Sequence, residues 1–486
     1  MSPLMLFIFV MIYFSVLLVV AYYTSRNSNN DTFFIGNKSS NWMLVAFGMI
    51  GTSLSGVTFV SVPGTVGHSN FSYFQVVLGY FIGYMVIAYI LLPLYYRLNL
   101  TSIYNYLLTR FGLTTYKTGS LFFIISRTLG ATARLYLVIN VLQIFILDQM
   151  NVPFGLTTLI ILLMILLYTF RGGVKTIVWT DTLQTTFMLG GLIVCVIFIM
   201  NYMHLSFSET MTSLSDKGYT RIFNTDINSA GYFIKQIVGG AFIAIAMTGL
   251  DQEMMQKNIS VKTLRDSQKN MVSFSFIVVL VNFLFLFLGG LLYLFASRQN
   301  IIITGDDLFP TIALQYLPKV IGIIFIIGLI SALFPSADGA ITALTSSFCI
   351  DILGIKRNKL LDEKKQKRTR QIVHISFAVL FMICVMIFKW VNNKSIIDVI
   401  LKVAAYTYGP LLGLFTFGIF TKRKINEKLV TLVCLGAPAV CYVVEVSQKS
   451  FAGNYKIGLE LLLINGALTF LGLLAISKKD VDAKSF

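Results

Sequence analysis

Residues 319–350 read KVIGIIFIIGLISALFPSADGAITALTSSFCI, a stretch long enough to cross a lipid bilayer as a helix. Its middle is not purely apolar, because residues 331–340 read Ser-Ala-Leu-Phe-Pro-Ser-Ala-Asp-Gly-Ala. A second apolar stretch, residues 177–200, opens with Ile-Val-Trp-Thr-Asp and places Asp181 close to the hydrocarbon. A carboxylate inside a membrane is costly unless it is paired, so Asp181 and Asp338 indicate a functional site for a cation.

Apolar stretches of this kind recur along the chain and determine its fold class. There are about thirteen, each near the twenty residues that span a bilayer, and they use over half of the 486 residues. Hydrophobic residues make up 56% of the sequence and charged residues 12%, which excludes an ordinary soluble globular protein. The sequence therefore predicts an all-α integral membrane protein with spans near residues 4–23, 42–66, 73–96, 118–147, 154–170, 177–200, 230–250, 271–296, 319–350, 372–391, 396–420, 429–446 and 457–476.

The basic residues indicate a membrane topology rather than nucleic-acid binding. The net charge is +17, but most lysines and arginines fall in alternate loops, and residues 356–370 alone carry eight of them. The positive-inside rule predicts a multi-pass plasma-membrane protein (inner membrane in a Gram-negative cell), with the N-terminus outside and the C-terminus in the cytoplasm. The expected partners are the lipid bilayer, a cation and a small-molecule solute, with no nucleic acid and no obligate protein partner.

The motifs of soluble enzymes and of metal sites are missing from the sequence. No nucleotide-binding loop, dinucleotide fingerprint or zinc-protease motif occurs, so no enzymatic activity and no cofactor are expected. The five cysteines are scattered and show no metal-binding spacing. A channel is disfavoured because no repeated filter segment is visible, and a solute sensor is disfavoured because only a short tail follows the last span.

Two spans carry residues that interrupt an apolar helix. Residues 51–56 read Gly-Thr-Ser-Leu-Ser-Gly, and five spans later residues 247–252 read Met-Thr-Gly-Leu-Asp-Gln, preceded by a glycine pair at 239–240. Glycine permits unwinding, and freed carbonyls can bind a cation, whereas the alternative is that small residues only let helices approach closely. The five-span interval is typical of transporters built from two inverted halves. We place one domain at residues 1–486, an accessory N-terminal helix at 1–30, the repeats at 42–200 and 229–420, and accessory C-terminal helices at 428–486.

Three basic side chains fall inside predicted spans. Arg127 and Arg134 lie seven residues apart on one apolar helix and hence share a face. A buried guanidinium needs an anion, and its planar fork matches a carboxylate. For Arg134, that anion is either a substrate carboxylate or an internal acid such as Asp181 or Asp338. Lys402 faces either an anionic substrate or the membrane interface.

The carboxylates admit more than one interpretation. Two neighbouring carboxylates also hold one proton strongly when no cation is present, so proton coupling through Asp181 and Asp338 is an alternative to sodium. Asp251 and Asp351 lie near helix ends on the cytoplasmic side, where we expect them to be solvated.

The stretch from Arg171 to Gln184, Arg-Gly-Gly-Val-Lys-Thr-Ile-Val-Trp-Thr-Asp-Thr-Leu-Gln, resembles the signature of sodium:solute symporters. Further motifs fit in order along the whole chain: Tyr96-Arg97-Leu-Asn-Leu-Thr101, Arg110-Phe-Gly, Gln252-Glu-Met-Met-Gln256 and Gly409-Pro-Leu-Leu-Gly413. The chain is most similar to the branch of carboxylate, vitamin, iodide and sialic acid carriers. The resemblance implies a LeuT-type fold of inverted five-helix repeats plus accessory helices, and sodium-coupled alternating access.

The resemblance also implies a cation site. In this family, carbonyls of the first and eighth repeat helices and hydroxyls of the eighth hold a sodium ion. The matching positions in this sequence are Gly51, Leu54, Ala332 and Ser336. A second hydroxyl of the family falls on Pro335, which removes it but frees the carbonyl of Ser331 as a replacement ligand. The carboxylate on the facing helix matches Asp181, and Asp338 falls where some members place a hydroxyl for a second sodium.

For the substrate, the resemblance implies an acidic solute. In sialic acid carriers of this family, an arginine at about the position of Arg134 holds the substrate carboxylate. The expected substrate-binding residues are Ser53, Ser55, Thr58, Gln75, Arg134 and Lys402. Residues that contact sugar in the sugar-carrying branch fall on the apolar side chains Ala244, Met247 and Val278. We therefore expect import of sialic acid or another carboxylate-bearing solute, with a neutral sugar or polyol as the alternative.

Overall fold

The computed structural model describes residues 3–25, 40–355, 357, 362–391, 396–451 and 455–479. Part of the predicted basic loop, residues 356 and 358–361, lies outside this set. The α-helices are Pro3–Ser25, Trp42–Ser53, Gly56–Ser69, Tyr73–Val86, Leu92–Arg97, Asn105–Arg110, Leu113–Leu142, Phe154–Tyr202, Phe207–Asp216, Phe233–Ala244, Gln252–Ile259, Leu264–Arg298, Leu308–Thr311, Lys319–Ser347, Glu363–Val391, Ile396–Thr407, Gly409–Phe420, Glu427–Phe451 and Glu460–Ala475. Short π-helical turns are Ile87–Leu91, Gln143–Leu147, Ile245–Gly249, Ile312–Tyr316 and Phe348–Ile352, and the 3-10 turns are Asp148–Met150 and Gly305–Asp307.

The helices confirm the predicted all-α membrane fold. Among the described residues, 8 helices are long and apolar enough to cross a membrane, and 3 bent pairs pass the same test when each pair counts as one span. Two shorter apolar helices are Phe154–Phe170 and Glu460–Ala475, so the count of thirteen spans stays a prediction. Large apolar side chains such as Leu167, Leu280 and Leu432 are exposed, as expected for surfaces that face lipid.

Three spans are broken, and we call them the first, second and third broken helices. Their halves are Trp42–Ser53 with Gly56–Ser69 (bent 56°), Phe233–Gly249 with Gln252–Ile259 (66°), and Ile396–Thr407 with Gly409–Phe420 (44°). The first two breaks fall inside residues 51–56 and 247–252, which confirms the predicted unwinding. The third break was not predicted; there Gly409 begins the second half of the span, with Pro410 in its first turn.

The glycine pair at 239–240 packs closely rather than unwinding. Both glycines lie within the helix Phe233–Ala244. A Cβ added at Gly240 would lie 2.3 Å from the carbonyl oxygen of Val76, so only glycine lets the second broken helix approach the helix Tyr73–Val86. At this pair, the close-approach interpretation applies.

The helix Phe154–Tyr202 bends at Gly173, whose φ of 57° lies in the left-handed region that favours glycine. The bend separates the two spans that the sequence predicts near 154–170 and 177–200. Two short strands, Lys424–Ile425 and Ser477–Lys478, pair antiparallel beyond the third broken helix. A broken helix starts each predicted repeat, while the repeat boundaries stay a prediction.

Candidate functional site

A cavity opens where the three broken helices meet. It is also lined by the helix Tyr73–Val86, by Leu264–Arg298 and by Leu113–Leu142, which we call the arginine helix. Helix breaks expose backbone polar groups and are the usual ligand sites in membrane transporters. The polar lining consists of Thr52, Ser53, Ser55, Thr58, Tyr73, Tyr80, Tyr84, Arg127, Arg134, Thr248 and Asn282.

Arg134 carries a positive charge on the cavity wall. Within the described part of the chain its guanidinium makes no hydrogen bond and no ion pair. Tyr73 and Tyr80, whose hydroxyls are 3.4 Å apart, line the same cavity. A partly buried guanidinium without an internal anion is costly, so the cavity is suited to a ligand that carries a carboxylate.

Arg127, two turns earlier on the same helix, has a different environment. Its side chain is 4% exposed and forms an ion pair with Glu253. A second acid, Asp251, has its Oδ2 3.9 Å from a guanidinium nitrogen of Arg127. Asp181 and Asp338 were predicted as alternative internal partners of Arg134, whereas the structure pairs Arg127 with two acids of the second broken helix.

Besides Arg134, three of the predicted substrate-binding residues line the cavity. Ser53, Ser55 and Thr58 lie at and just after the break in the first broken helix. The three positions where apolar side chains replace sugar contacts line it as well: Ala244, Met247 and Val278.

The structure does not bring the other two predicted substrate-binding residues to this cavity. The amide of Gln75 donates to Ser72 O at 2.9 Å and accepts from Asn224 N at 3.2 Å, so it fixes an adjoining loop. Lys402 Nζ is 2.5 Å from Glu445 Oε1 on a half-exposed surface, and its neighbour Leu401 lines the cavity instead. Both assignments are corrected, because hydrogen bonds and ion pairs hold these side chains elsewhere.

The tyrosines of the cavity were not among the predicted residues. Tyr73, Tyr80 and Tyr84 are spaced seven and four residues apart on the helix Tyr73–Val86 and therefore share one face. That spacing is visible in the sequence and would have indicated a polar face on this helix. Asn282, on Leu264–Arg298, was also missed, and a single amide in an apolar span gives a weaker signal.

The predicted sodium ligands lie where the first broken helix meets the helix Lys319–Ser347, which we call the Pro335 helix. A Cβ added at Gly51 would lie 3.4 Å from Pro335 Cγ. At the break, the carbonyls of Gly51 and Leu54 accept no hydrogen bond from any described residue. Ser336 Oγ is buried and likewise makes no hydrogen bond in the described part. Such oxygen atoms suit a hard cation.

Pro335 does not interrupt its helix, which stays continuous through it. The missing N–H leaves the carbonyl of Ser331 without its usual helical donor. Ala332 and Ser336, both buried, are one turn apart on this helix and so lie on one face. The backbone is thus consistent with Ser331 as a replacement ligand, which stays a prediction.

Each predicted intramembrane carboxylate has an internal partner. Lys257 Nζ is 2.6 Å from Asp181 Oδ2, and Tyr168 donates its hydroxyl to Asp338 Oδ2 at 2.7 Å. No hydrogen bond among the described residues joins Asp181 to Asp338 or to Ser336. The seventh predicted span ends at residue 250, which leaves Lys257 in a loop. The bend carries the span on to Ile259 and buries the lysine.

The expectation that Asp251 and Asp351 are solvated is wrong. Both carboxylates are fully buried. Asp251 caps the helix Gln252–Ile259 and accepts from the hydroxyl of Tyr408 at 2.7 Å. Asp351 accepts hydroxyl hydrogen bonds from Ser102, Tyr116 and Ser347 at 3.0, 2.7 and 2.6 Å. Hydrogen bonding from side chains replaces water at both groups.

The comparison with known families agrees with this architecture. A family model described as the sodium:solute symporter family matches residues 33–428. This chain belongs to that family. It is therefore a transporter rather than an enzyme, and a multi-pass membrane protein.

Among its relatives in the family are two bacterial sialic acid symporters. The chain is 22% identical over 466 residues to the sodium/sialic acid symporter SiaT of Proteus mirabilis, covering 94% of this chain and 92% of that protein. It is 21% identical over 477 residues to the sodium/sialic acid symporter NanT of Aliivibrio fischeri, with 94% and 90% covered. A solved structure of a sodium-coupled sialic acid symporter, in a substrate-bound outward-open state, matches with a TM-score of 0.83 over 97% of both chains at 18% identity.

Proposed function

We propose that this chain is a sodium-coupled symporter that imports a small organic solute carrying a carboxylate, by alternating access across the plasma membrane. The observation that carries the proposal is the guanidinium of Arg134, which lies on the wall of the central cavity without an internal anion. The sialic acid symporters among its relatives support the same class of solute. The apolar residues at the sugar-contact positions argue against a neutral hexose.

In this proposal the two ligands act on the same helix break. Sodium binds the carbonyls of Gly51 and Leu54 together with Ser336, and so orders the break in the first broken helix. The solute then binds beside Ser53 and Ser55 with its carboxylate on Arg134. Because both ligands favour one conformation, each should tighten the binding of the other.

The test is thermal stability of the purified protein against sialic acids, monocarboxylates, uronic acids and neutral sugars, in sodium and again in potassium at equal ionic strength. Stabilisation by an acidic solute in sodium alone supports the proposal. Stabilisation by a neutral sugar would keep sodium coupling and remove the role of Arg134. A sodium-driven uptake assay in proteoliposomes should give the same ranking of solutes.

Proton coupling is the second candidate, because the buried carboxylates Asp181 and Asp338 are each held by a group that can exchange a proton. The same measurement separates the two. If the solute stabilises the protein equally in sodium and in potassium, and the stabilisation changes with pH, proton coupling is favoured. Stabilisation that requires sodium across the pH range would favour sodium.

The hydroxyl of Ser336 gives a prediction for the sodium site. In Ser336→Ala the half-saturating sodium concentration for uptake should rise about tenfold, the usual scale for a lost ligand to a charged group. The thermal stability without sodium should not fall, because this buried hydroxyl makes no hydrogen bond in the described part of the chain. Ser346→Ala is the matched control, since its hydroxyl donates to Thr342 O at 2.8 Å on the same helix. Equal sodium dependence in both variants would contradict the site.

A further inference from the structure

A buried lysine lies at the carboxylate that the sequence predicts to bind a cation. Lys257 Nζ is 2.6 Å from Asp181 Oδ2 and 2.6 Å from Thr52 Oγ1. Thr52 follows Gly51, one of the predicted sodium ligands, in the first broken helix. The side chain of Lys257 is 4% exposed and that of Asp181 is 0% exposed. The ammonium thus holds the place at Asp181 that a coupling cation would take.

Lys257 has a second carboxylate within reach. Its Nζ is 3.7 Å from Glu253 Oε1, one turn earlier on the same helix. That oxygen is buried and accepts no hydrogen bond in the described part of the chain, while the other oxygen of Glu253 binds Arg127. The lysine stem is flexible, so a change of rotamer can move the ammonium from Asp181 to Glu253 while it stays paired with an acid.

The ion pairs around Asp181 form a chain with one excess negative charge. Asp181, Lys257, Glu253, Arg127 and Asp251 follow one another through contacts between neighbouring charges. When all are ionised, the chain contains three carboxylates and two cations. Asp181 Oδ1 is buried and makes no hydrogen bond among the described residues. One monovalent cation bound by both oxygens of Asp181, with the ammonium of Lys257 moved to Glu253, would neutralise the chain and satisfy Oδ1.

We propose that Lys257 is a tethered cation that pairs with Asp181 when sodium is absent, and that sodium binding at Asp181 displaces the ammonium to Glu253. This inference rests on the proposed sodium coupling and adds a built-in competitor for the ion. Glu253 forms an ion pair with Arg127, and Arg127 also lies 3.9 Å from Asp251. Asp251 in turn accepts a hydrogen bond from Tyr408 at the break in the third broken helix. The displacement therefore links ion binding to the second and third broken helices, which line the solute cavity.

Equilibrium binding of radioactive sodium to the purified full chain, at constant ionic strength, tests the proposal with two variants. Lys257→Met removes the competitor, and its half-saturating sodium concentration should fall about tenfold. Lys257→Arg keeps a permanent charge that binds the carboxylate with two parallel hydrogen bonds, and its half-saturating concentration should rise about tenfold. The double variant Asp181→Asn with Lys257→Met should lose the gain of the single Met variant, because the carboxylate that binds sodium is gone.

Lys235→Met is the control, because this lysine lies near the start of the second broken helix, pairs with Glu460 at 3.7 Å and has no part in the ion pairs around Asp181, so sodium binding should not change. If folded Lys257→Met and Lys257→Arg both bind sodium as the wild type does, the ion pair is structural only and the inference is overturned. If Lys257→Met does not fold, two variants still test the inference. Lys257→Arg should raise the half-saturating sodium concentration, and the double variant, which lacks both charges, should not lower it. If the wild type binds no sodium, the proposed sodium coupling is overturned together with this inference. If the wild type binds sodium and only the expected shifts in the variants are absent, the inference alone is overturned.

Discussion

Arg134→Ala should reduce the uptake of carboxylate solutes about 100-fold, because it removes the only charge on the cavity wall without an internal partner in the described part of the chain. Arg134→Lys should recover only part of the activity, since an ammonium keeps the charge but not the planar fork that matches a carboxylate. Uptake by proteoliposomes under a sodium gradient measures both effects. Sodium binding without solute should stay close to that of the wild type.

Lys402→Met is the matched control for Arg134→Ala. Lys402 is also a basic residue in a span, but its ammonium pairs with Glu445 on a half-exposed surface outside the cavity. Its replacement should change uptake less than about twofold, as is usual for exposed pairs. Equal losses in the two variants, or full uptake in Arg134→Ala, would show that the carboxylate of the solute is held by another group.

The largest expected effect of Arg127→Met is a loss of stability. It leaves the buried Glu253 without its guanidinium, and breaking a buried ion pair costs about 3–5 kcal/mol of unfolding free energy. Replacing both Arg127 and Glu253 by methionine should recover the part of that loss that comes from Glu253, while the buried Asp251, 3.9 Å from Arg127, still lacks its cation. Thermal and chemical unfolding in detergent, without solute, measure the difference.

Lys235→Met supplies the comparison for the Arg127 variant. Lys235 and Glu460 are 3.7 Å apart and less buried than Arg127 and Glu253, at 9% and 18% exposed, so the loss of this longer pair should cost less, about 1 kcal/mol. A stability of Arg127→Met equal to that of the wild type would mean that the Arg127–Glu253 pair contributes no net energy. A double variant less stable than either single variant would point to packing rather than charge.

The sequence located the parts of the site that depend on local chemistry. Glycine and hydroxyl residues at 51–56 and 247–252 marked two helix breaks, since backbone freedom and freed carbonyls are properties of a short segment. The third break was not predicted because a single Gly-Pro step within an apolar span does not always break the helix, as the continuous helix through Pro335 shows. Tyr73, Tyr80 and Tyr84 were missed although their spacing on one helix face was visible.

The sequence could not assign partners to charged side chains. Gln75 and Lys402 were expected at the substrate, yet each is bound to a group from a different segment, Asn224 and Glu445. Asp251 and Asp351 were expected in water and are buried among hydroxyl donors. Lys257 was counted as a loop residue until the bend of the second broken helix placed it at Asp181.

By itself the sequence determined that this protein is an all-helical membrane transporter with two interrupted spans, because bilayer length, apolar content and glycine position are local properties. Only the tertiary structure distinguished Arg127 from Arg134, which have the same chemistry and share one helix face. Glu253 arrives from the second broken helix and neutralises Arg127, whereas Arg134, two turns further, faces the cavity. The physical reason is that a buried charge takes its role from the nearest opposite charge, and that neighbour is set by how distant segments pack.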